Sequence, residues 1–170
     1  QRYNASEQEM QFCNGSSWQS IGGGEKVFHV RDEKPSGTVG GGSSAGNWDM
    51  RDLNTVLINE IDGASLSSNQ ITLPAGDYSV EASAPAYECN QSHLRLRNIS
   101  TGSTIALGDS GYEEGSSGES QKMMYDVFSL SSTGVLELQQ YCERGGPYGM
   151  GYKSDSGETE VYGNIRIETQ

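Results

Sequence analysis

At 170 residues and 18.3 kDa, the chain is long enough for one domain with its own core and at most a short appendage. A formal net charge of −12 sets a repulsive field against phosphates, which argues against nucleic acid or an anionic membrane surface as a partner, and no apolar run approaches the roughly 20 residues of a spanning helix. With 33% of residues hydrophobic and 20% charged, the polar bulk comes from Ser, Gly, Asn and Thr, residues that favour turns over helix interiors and so point to many short strands.

In chain order, the opening on Gln1 reads as a processed product or a fragment. Arg2 to Asn4 and Met10 to Cys13 are two short strands around a polar turn, and Asn14 to Trp18 is a second turn. A lone hairpin is marginal in water, so this piece needs partners. Gly22, Gly23 and Gly24 then form a hinge, since consecutive glycines hold no single conformation cheaply. The predicted boundaries are therefore a hairpin segment with its hinge over 1–24 and a globular domain over 25–170. Val27 to Arg31 alternates as a first strand, and Pro35 to Gly46 is a Gly/Ser-rich loop, either mobile or ordered by a neighbour. Leu53 to Ile58 is a candidate strand. Ile71 to Leu73, a Pro74-Ala75-Gly76 turn and the run from Asp77 make a hairpin in which Tyr78, Val80 and Ala82 share the buried face. His93 to Ile99 alternates likewise, with Leu94 and Leu96 inward. Met123 to Leu130, Val135 to Cys142 and Val161 to Ile167 complete about eight strands, with no amphipathic helix, which describes an all-β sandwich or jelly roll.

The stretch Leu53-Asn54-Thr55 through Ile71-Thr72-Leu73-Pro74-Ala75-Gly76-Asp77-Tyr78, Glu81 to Ala86 and His93-Leu94-Arg95-Leu96-Arg97-Asn98 resembles the jelly-roll domains at the ends of phage tail fibres and other virion appendages. More distantly, it is similar to the tumour-necrosis-factor and complement globular-head superfamily. The run from Val127 to Ile167 fits the tail-fibre version, and Arg2 to Trp18 resembles a hairpin module of tail-fibre shafts. The resemblance covers Val27 to Glu168. It implies a ten-strand or near ten-strand jelly roll that assembles as a homotrimer on a shaft-end hairpin, extracellular and part of a virion. Aromatic-bearing strands, with Tyr141 and Tyr162, read as faces that a monomer finds hard to cover.

Residues that carry chemistry are sparse. Cys13, Cys89 and Cys142 lack metal spacing, and neither His29 nor His93 has a second ligand type nearby, so no zinc site and no cofactor are expected. The acidic loop from Asp109 to Ser120 reads as a solvated loop, with calcium as the alternative. No nucleophile elbow, Cys/His pair or assignable carboxylate pair is present, so no catalytic residue is assigned and the chain reads as non-enzymatic. In an extracellular particle, Cys89 and Cys142 at strand ends suggest a disulfide, the alternative being two small buried hydrophobes. Trp48 reads as core, with sugar stacking as its alternative.

The contact surface is expected on Arg144-Gly145-Gly146-Pro147-Tyr148-Gly149-Met150-Gly151-Tyr152, where Tyr148 and Tyr152 are rigid amphipathic contacts and Arg144 a hydrogen-bond donor. The expected function is a receptor-binding or structural tip that attaches multivalently to a host-cell-surface glycan or protein. Alternatives are a polysaccharide depolymerase of the tailspike kind and a secreted adhesin of the same fold.

Overall fold

The structure is a computed structural model that describes residues 1–5, 9–13, 15–16, 18–20, 24–114 and 118–170. There is no helix among these residues. Of the glycine hinge, Gly22 and Gly23 lie outside the described residues.

Near the N-terminus, β1 (Arg2–Asn4), β2 (Glu9–Cys13) and β3 (Trp18–Ser20) form a separate antiparallel sheet in the order β1-β2-β3. The expected hairpin therefore carries a third strand, because the chain after the second turn folds back along β2, with Cys13 opposite Trp18. Arg2 ties the sheet together. Its guanidinium donates to the Gln11 side-chain oxygen at 2.9 and 3.0 Å and lies 4.4 Å from the Trp18 ring centre. Tyr3, Met10, Phe12 and Trp18 all remain exposed, so this small sheet leaves apolar side chains uncovered.

Eleven strands build the domain as two antiparallel sheets. The first sheet comprises β7 (Ser65–Ser67), β8 (Gln70–Leu73), β10 (Gln91–Asn98), β11 (Ser103–Tyr112) and β13 (Gly134–Cys142) in the order β11-β10-β13-β8-β7, with β5 (Asn47–Met50) continuing β8's line along β13. The second comprises β4 (Val27–Lys34), β6 (Thr55–Asn59), β9 (Gly76–Tyr87), β12 (Glu119–Leu130) and β14 (Glu160–Thr169) in the order β12-β9-β14-β4-β6. Period-two alternation closes the sandwich. Phe28 and Val30 of β4, Val80 and Ala82 of β9, Leu94 and Leu96 of β10, Leu136 and Leu138 of β13, and Ile165 and Ile167 of β14 all face inward and are buried. The turn before β9 is fastened by its own strand, since the Tyr78 hydroxyl donates to the Pro74 carbonyl at 3.0 Å.

Several local readings change. β11 emerges where a loop was expected to begin, and β12 starts at Glu119, so the acidic loop shrinks to 113–118, of which residues 115–117 are undescribed. Trp48 is half-buried on the outward face of the first sheet and not in the core, because β5 pairs with β13 so that Trp48 stands opposite Tyr141. Tyr162 is buried within the single chain, its hydroxyl donating to the Thr38 carbonyl at 2.7 Å, so the loop before β5 covers it and no neighbouring copy is needed there.

The strand directions give the domain two distinct poles. Val27 pairs with Glu168 and Lys34 with Glu160, so the start of β4 and the end of β14 lie together at one pole. Tyr87 pairs with Glu119, Gln91 with Tyr112 and Ser92 with Cys142, which places the loops around 35–46, 88–90 and 143–159, with Glu113, Glu114 and Gly118, at the opposite pole, the crown.

Candidate functional site

The crown is built on a buried cation. Arg51 follows β5 directly and is fully buried. One guanidinium nitrogen, Nη1, donates to the Pro85 carbonyl at 3.1 Å and the Gln140 side-chain oxygen at 2.9 Å. The other, Nη2, donates to the Met150 carbonyl at 3.0 Å and to the Tyr162 carbonyl. Burial lowers its pKa to about 10, which leaves it charged at neutral pH. A planar fork of donors is suited to gathering several carbonyls at once, and here it fastens the 143–159 loop to strands of both sheets.

The two glycine-rich loops hold each other. Ser43 and Gly146 exchange backbone hydrogen bonds of 2.8 and 2.9 Å, the Gly40 N–H donates to the Gly151 carbonyl at 3.0 Å, and the Met150 N–H to the Gly41 carbonyl at 3.1 Å. The neighbour that orders the 35–46 loop is thus the loop that carries the expected contact residues. Glycine is required at 151: its φ is +118°, and a Cβ there would meet the Tyr162 ring at 2.6 Å. The Cys89 and Cys142 sulfurs are joined in a buried disulfide, and beside it the Arg144 N–H donates to the Cys89 carbonyl at 3.1 Å. On the far side of the loop, Glu160 accepts from the backbone N–H groups of Asp155 at 2.8 Å, Ser154 at 3.1 Å and Gly37 at 3.2 Å. Those donors, with Asp155 foremost, hold its carboxyl down at about 2.

On this support stand three tyrosines. Tyr148 and Tyr152 meet edge to face at 5.0 Å, Tyr152 stacks on Tyr87 at 5.2 Å, and Tyr148 meets Tyr87 at 6.4 Å. Tyr148 and Tyr152 are 38% and 43% exposed, so each keeps a wet surface although its ring is braced. Burial, then the adjacent Glu88 carboxylate, raises the Tyr87 hydroxyl above its usual value, keeping it a neutral donor. The Tyr152 N–H donates to the Glu119 carboxylate at 3.3 Å, which brings the end of the acidic loop against the tyrosines. Arg144 stands apart: its side chain is exposed, and among the described residues its guanidinium stacks on neither tyrosine ring. The third member, Tyr87, has no local signal, because it joins the other two only through the fold.

A second aromatic group lies on the outward face of the first sheet. Trp48 meets His93 at 5.6 Å and Tyr141 at 5.7 Å, and the Arg95 guanidinium sits 4.0 Å from the Trp48 ring centre. Arg95 also donates to the Gln139 side-chain oxygen at 2.8 Å. Beside this group a shallow depression of about 440 Å³ is lined by Gln91, Ser92, His93, Ser110, Gly111, Tyr112 and Tyr141. The sugar-stacking alternative for Trp48 thus lies next to a cavity.

No family model matches the chain, and no curated protein matches it in sequence. Solved structures do match in shape. Murine APRIL at pH 5.0 is 8% identical, with 86% of this chain and 100% of that chain covered and a TM-score of 0.57. At pH 8.5 the same murine protein gives 10%, 86%, 100% and 0.55. The globular domain of the zebrafish complement 1qA protein is 12% identical, with 85% of this chain and 95% of that chain covered and a TM-score of 0.52. The likeness is one of fold: this chain is a jelly roll of the kind found in the tumour-necrosis-factor family and complement globular heads.

Proposed function

We propose that this chain is the globular end of a virion appendage of the tail-fibre kind, a non-enzymatic homotrimer that attaches to a host-cell-surface glycan or protein through its crown. The observation that carries the reading is the polarity of the domain. The braced trio of Tyr87, Tyr148 and Tyr152 stands at the pole opposite the start of β4, where the 1–24 segment joins. A shaft-end segment at one pole leaves the other pole outermost. Rigid aromatic side chains on a fixed loop lose little entropy on contact, and three copies on one axis gain avidity of about a hundredfold or more. Arg144 serves at the rim of this surface.

Two uncovered surfaces support the trimer. On the second sheet, Tyr125 and Val127 of edge strand β12 are 66% and 68% exposed, and Val56, Leu57 and Ile58 of the opposite edge strand β6 are also exposed. Between them lie Glu81, Arg166 and His29 in register. Apolar patches on opposite edges of one sheet fit a heterologous contact that closes a ring, in which β12 of one copy meets β6 of the next. The exposed apolar side chains of the N-terminal sheet gain cover from the same threefold axis.

The test has two readouts. Light scattering on the full chain is expected to give three times 18.3 kDa, and the Tyr125→Asp, Val127→Asp variant to give a smaller mass. Attachment to host cells is expected to be lost in the Tyr148→Ala, Tyr152→Ala variant with the trimer intact. A monomer mass for the parent chain overturns the trimer, and full attachment by the tyrosine variant overturns the crown as the contact surface. Release of reducing sugar from host polysaccharide would instead make the protein an enzyme.

A further inference from the structure

We propose that the depression on the outward face of the first sheet is a second binding site, separate from the crown trio, and that it takes a neutral saccharide. It is lined by Tyr112 and Ser110 of β11, by Tyr141 of β13, and by Gln91 and His93 of the intervening β10. The strand register puts all five on one face, because Gln91 pairs with Tyr112, and His93 with both Ser110 and Tyr141. A register shift between His93 and Arg95 interrupts the β10–β11 ladder beside the depression, and bulges of this kind re-aim side chains next to sites.

The chemistry of the lining selects the ligand class. Pyranose rings present an apolar C–H face and a rim of hydroxyls, and tyrosine walls with neutral hydrogen-bonding groups between them match both features. Tyr112 is 66% exposed, so one wall is a ring open to such stacking. The imidazole of His93 approaches the Gly108 carbonyl through Nε2 at 3.0 Å. A carbonyl only accepts, so Nε2 carries the hydrogen of this contact and Nδ1 is left to hydrogen-bond a sugar hydroxyl. Gln91 adds both a donor and an acceptor, and Ser110 a hydroxyl.

No carboxylate, ammonium or guanidinium lines the depression. The nearest cation on the same strand face, Arg95, is engaged with Trp48 and Gln139. The Lys122 ammonium is buried behind Gly111 and does not line the depression, so an anionic sugar would meet no cationic side chain in the lining and the field of a chain of net charge −12 around it. An apolar ligand would leave three polar side chains unpaired in an open hollow. The volume of about 440 Å³ suits one or two sugar rings. The depression lies on the outward face of the first sheet, whereas the apolar side chains of β12 and β6 belong to the second.

The test is a ligand-observed NMR titration of the full chain with the methyl glycosides of glucose, galactose, mannose and N-acetylglucosamine, and with N-acetylneuraminic acid as the anionic comparator. At least one neutral glycoside is expected to bind with a Kd on the order of 1 mM, equivalent to about −4 kcal/mol. Tyr112→Ala, which removes an exposed wall, and Ser110→Tyr, which fills the hollow, are each expected to weaken it at least about tenfold. Both leave the core untouched, and an unchanged melting temperature checks this. The Tyr148→Ala, Tyr152→Ala variant is expected to bind the glycoside as the parent does. Binding by none of the sugars, or by the anionic one alone, overturns the proposal. So does neutral binding that survives both β11 variants and is lost in the crown variant, a result that would leave the crown reading standing.

Discussion

Tyr152 stacks on Tyr87 with ring centres 5.2 Å apart and an interplanar angle of 25°, which joins the long loop after β13 to the end of β9. The pair is a brace as well as a surface. Each aromatic pair contributes about 1 kcal/mol beyond its area, so Tyr152→Ala, which also breaks the contact with Tyr148, is expected to destabilise the chain by about 1–3 kcal/mol, whereas Tyr152→Phe stays close to the parent. Urea unfolding of the two variants checks this. Equal midpoints would mean that the stack contributes nothing to holding the loop.

Arg51 presents the larger stake. Its removal takes a donor from the carbonyls of Pro85, Met150 and Tyr162 and from the Gln140 side-chain oxygen, all inside the protein, so Arg51→Met is expected to cost about 3–5 kcal/mol. Arg51→Lys rescues little of it, because an ammonium cannot reproduce the planar fork. Hydrogen exchange should show protection lost first at Gly40, Ser43 and Gly146, whose N–H groups bond across the two loops. An Arg51→Lys variant as stable as the parent would show that charge alone suffices.

Acid should loosen the crown through Glu160. Its folded pKa of about 2 lies below the ordinary 4.5, so the folded state favours the ionised form. The stability this confers is complete above the ordinary value and is lost as the pH falls from about 4.5 toward 2. Melting temperatures measured from pH 6 down to pH 2 are expected to fall less steeply for Glu160→Gln than for the parent. Parallel curves would remove Glu160 from the acid response.

Reduction should be slow and costly. The Cys89–Cys142 bond closes a separation of 53 residues and is buried, for which loop-closure entropy gives about 4 kcal/mol as a guide. Peptide mapping without reductant is expected to recover the two cysteines linked, while the exposed Cys13 alkylates freely. Alkylation of Cys89 and Cys142 in the native protein would show the bond absent.

How far the sequence revealed this architecture depends on whether the signal was local. Tyr78, Val80, Ala82, Leu94 and Leu96 alternate within their own strands, and all five are buried as the alternation requires. β11 carries no such local signal, because Gly108 and Gly111 interrupt its pattern. A Cβ at Gly108 would meet the Met123 carbonyl at 2.6 Å, so that glycine answers a close approach to β12, a strand that only the fold brings near. Trp48 and Arg51 are misleading for a related reason. Composition puts a tryptophan inside and an arginine outside, yet the pairing of β5 with β13 turns the one outward, and a cluster of carbonyls from three distant segments receives the other. Tyr148 and Tyr152 stood out in a stretch otherwise stripped of side chains, whereas Tyr87, at the end of a long apolar strand, did not.

The two-pole arrangement also decides how the domain carries a load. Tension applied between the start of β4 and the crown would run along the strands. Antiparallel ladder bonds lie perpendicular to the strands, so the bonds between β4 and β14, from Val27–Glu168 to Lys34–Glu160, are strained together in shear and do not peel open one at a time. A pull between the start of β4 and the end of β14, which meet where the Thr169 N–H donates to the Lys26 carbonyl at 3.0 Å, would unzip that same ladder from one end. The same hydrogen bonds thus make a strong fastening against force between the two poles and a weak one against force between the strand ends at one pole.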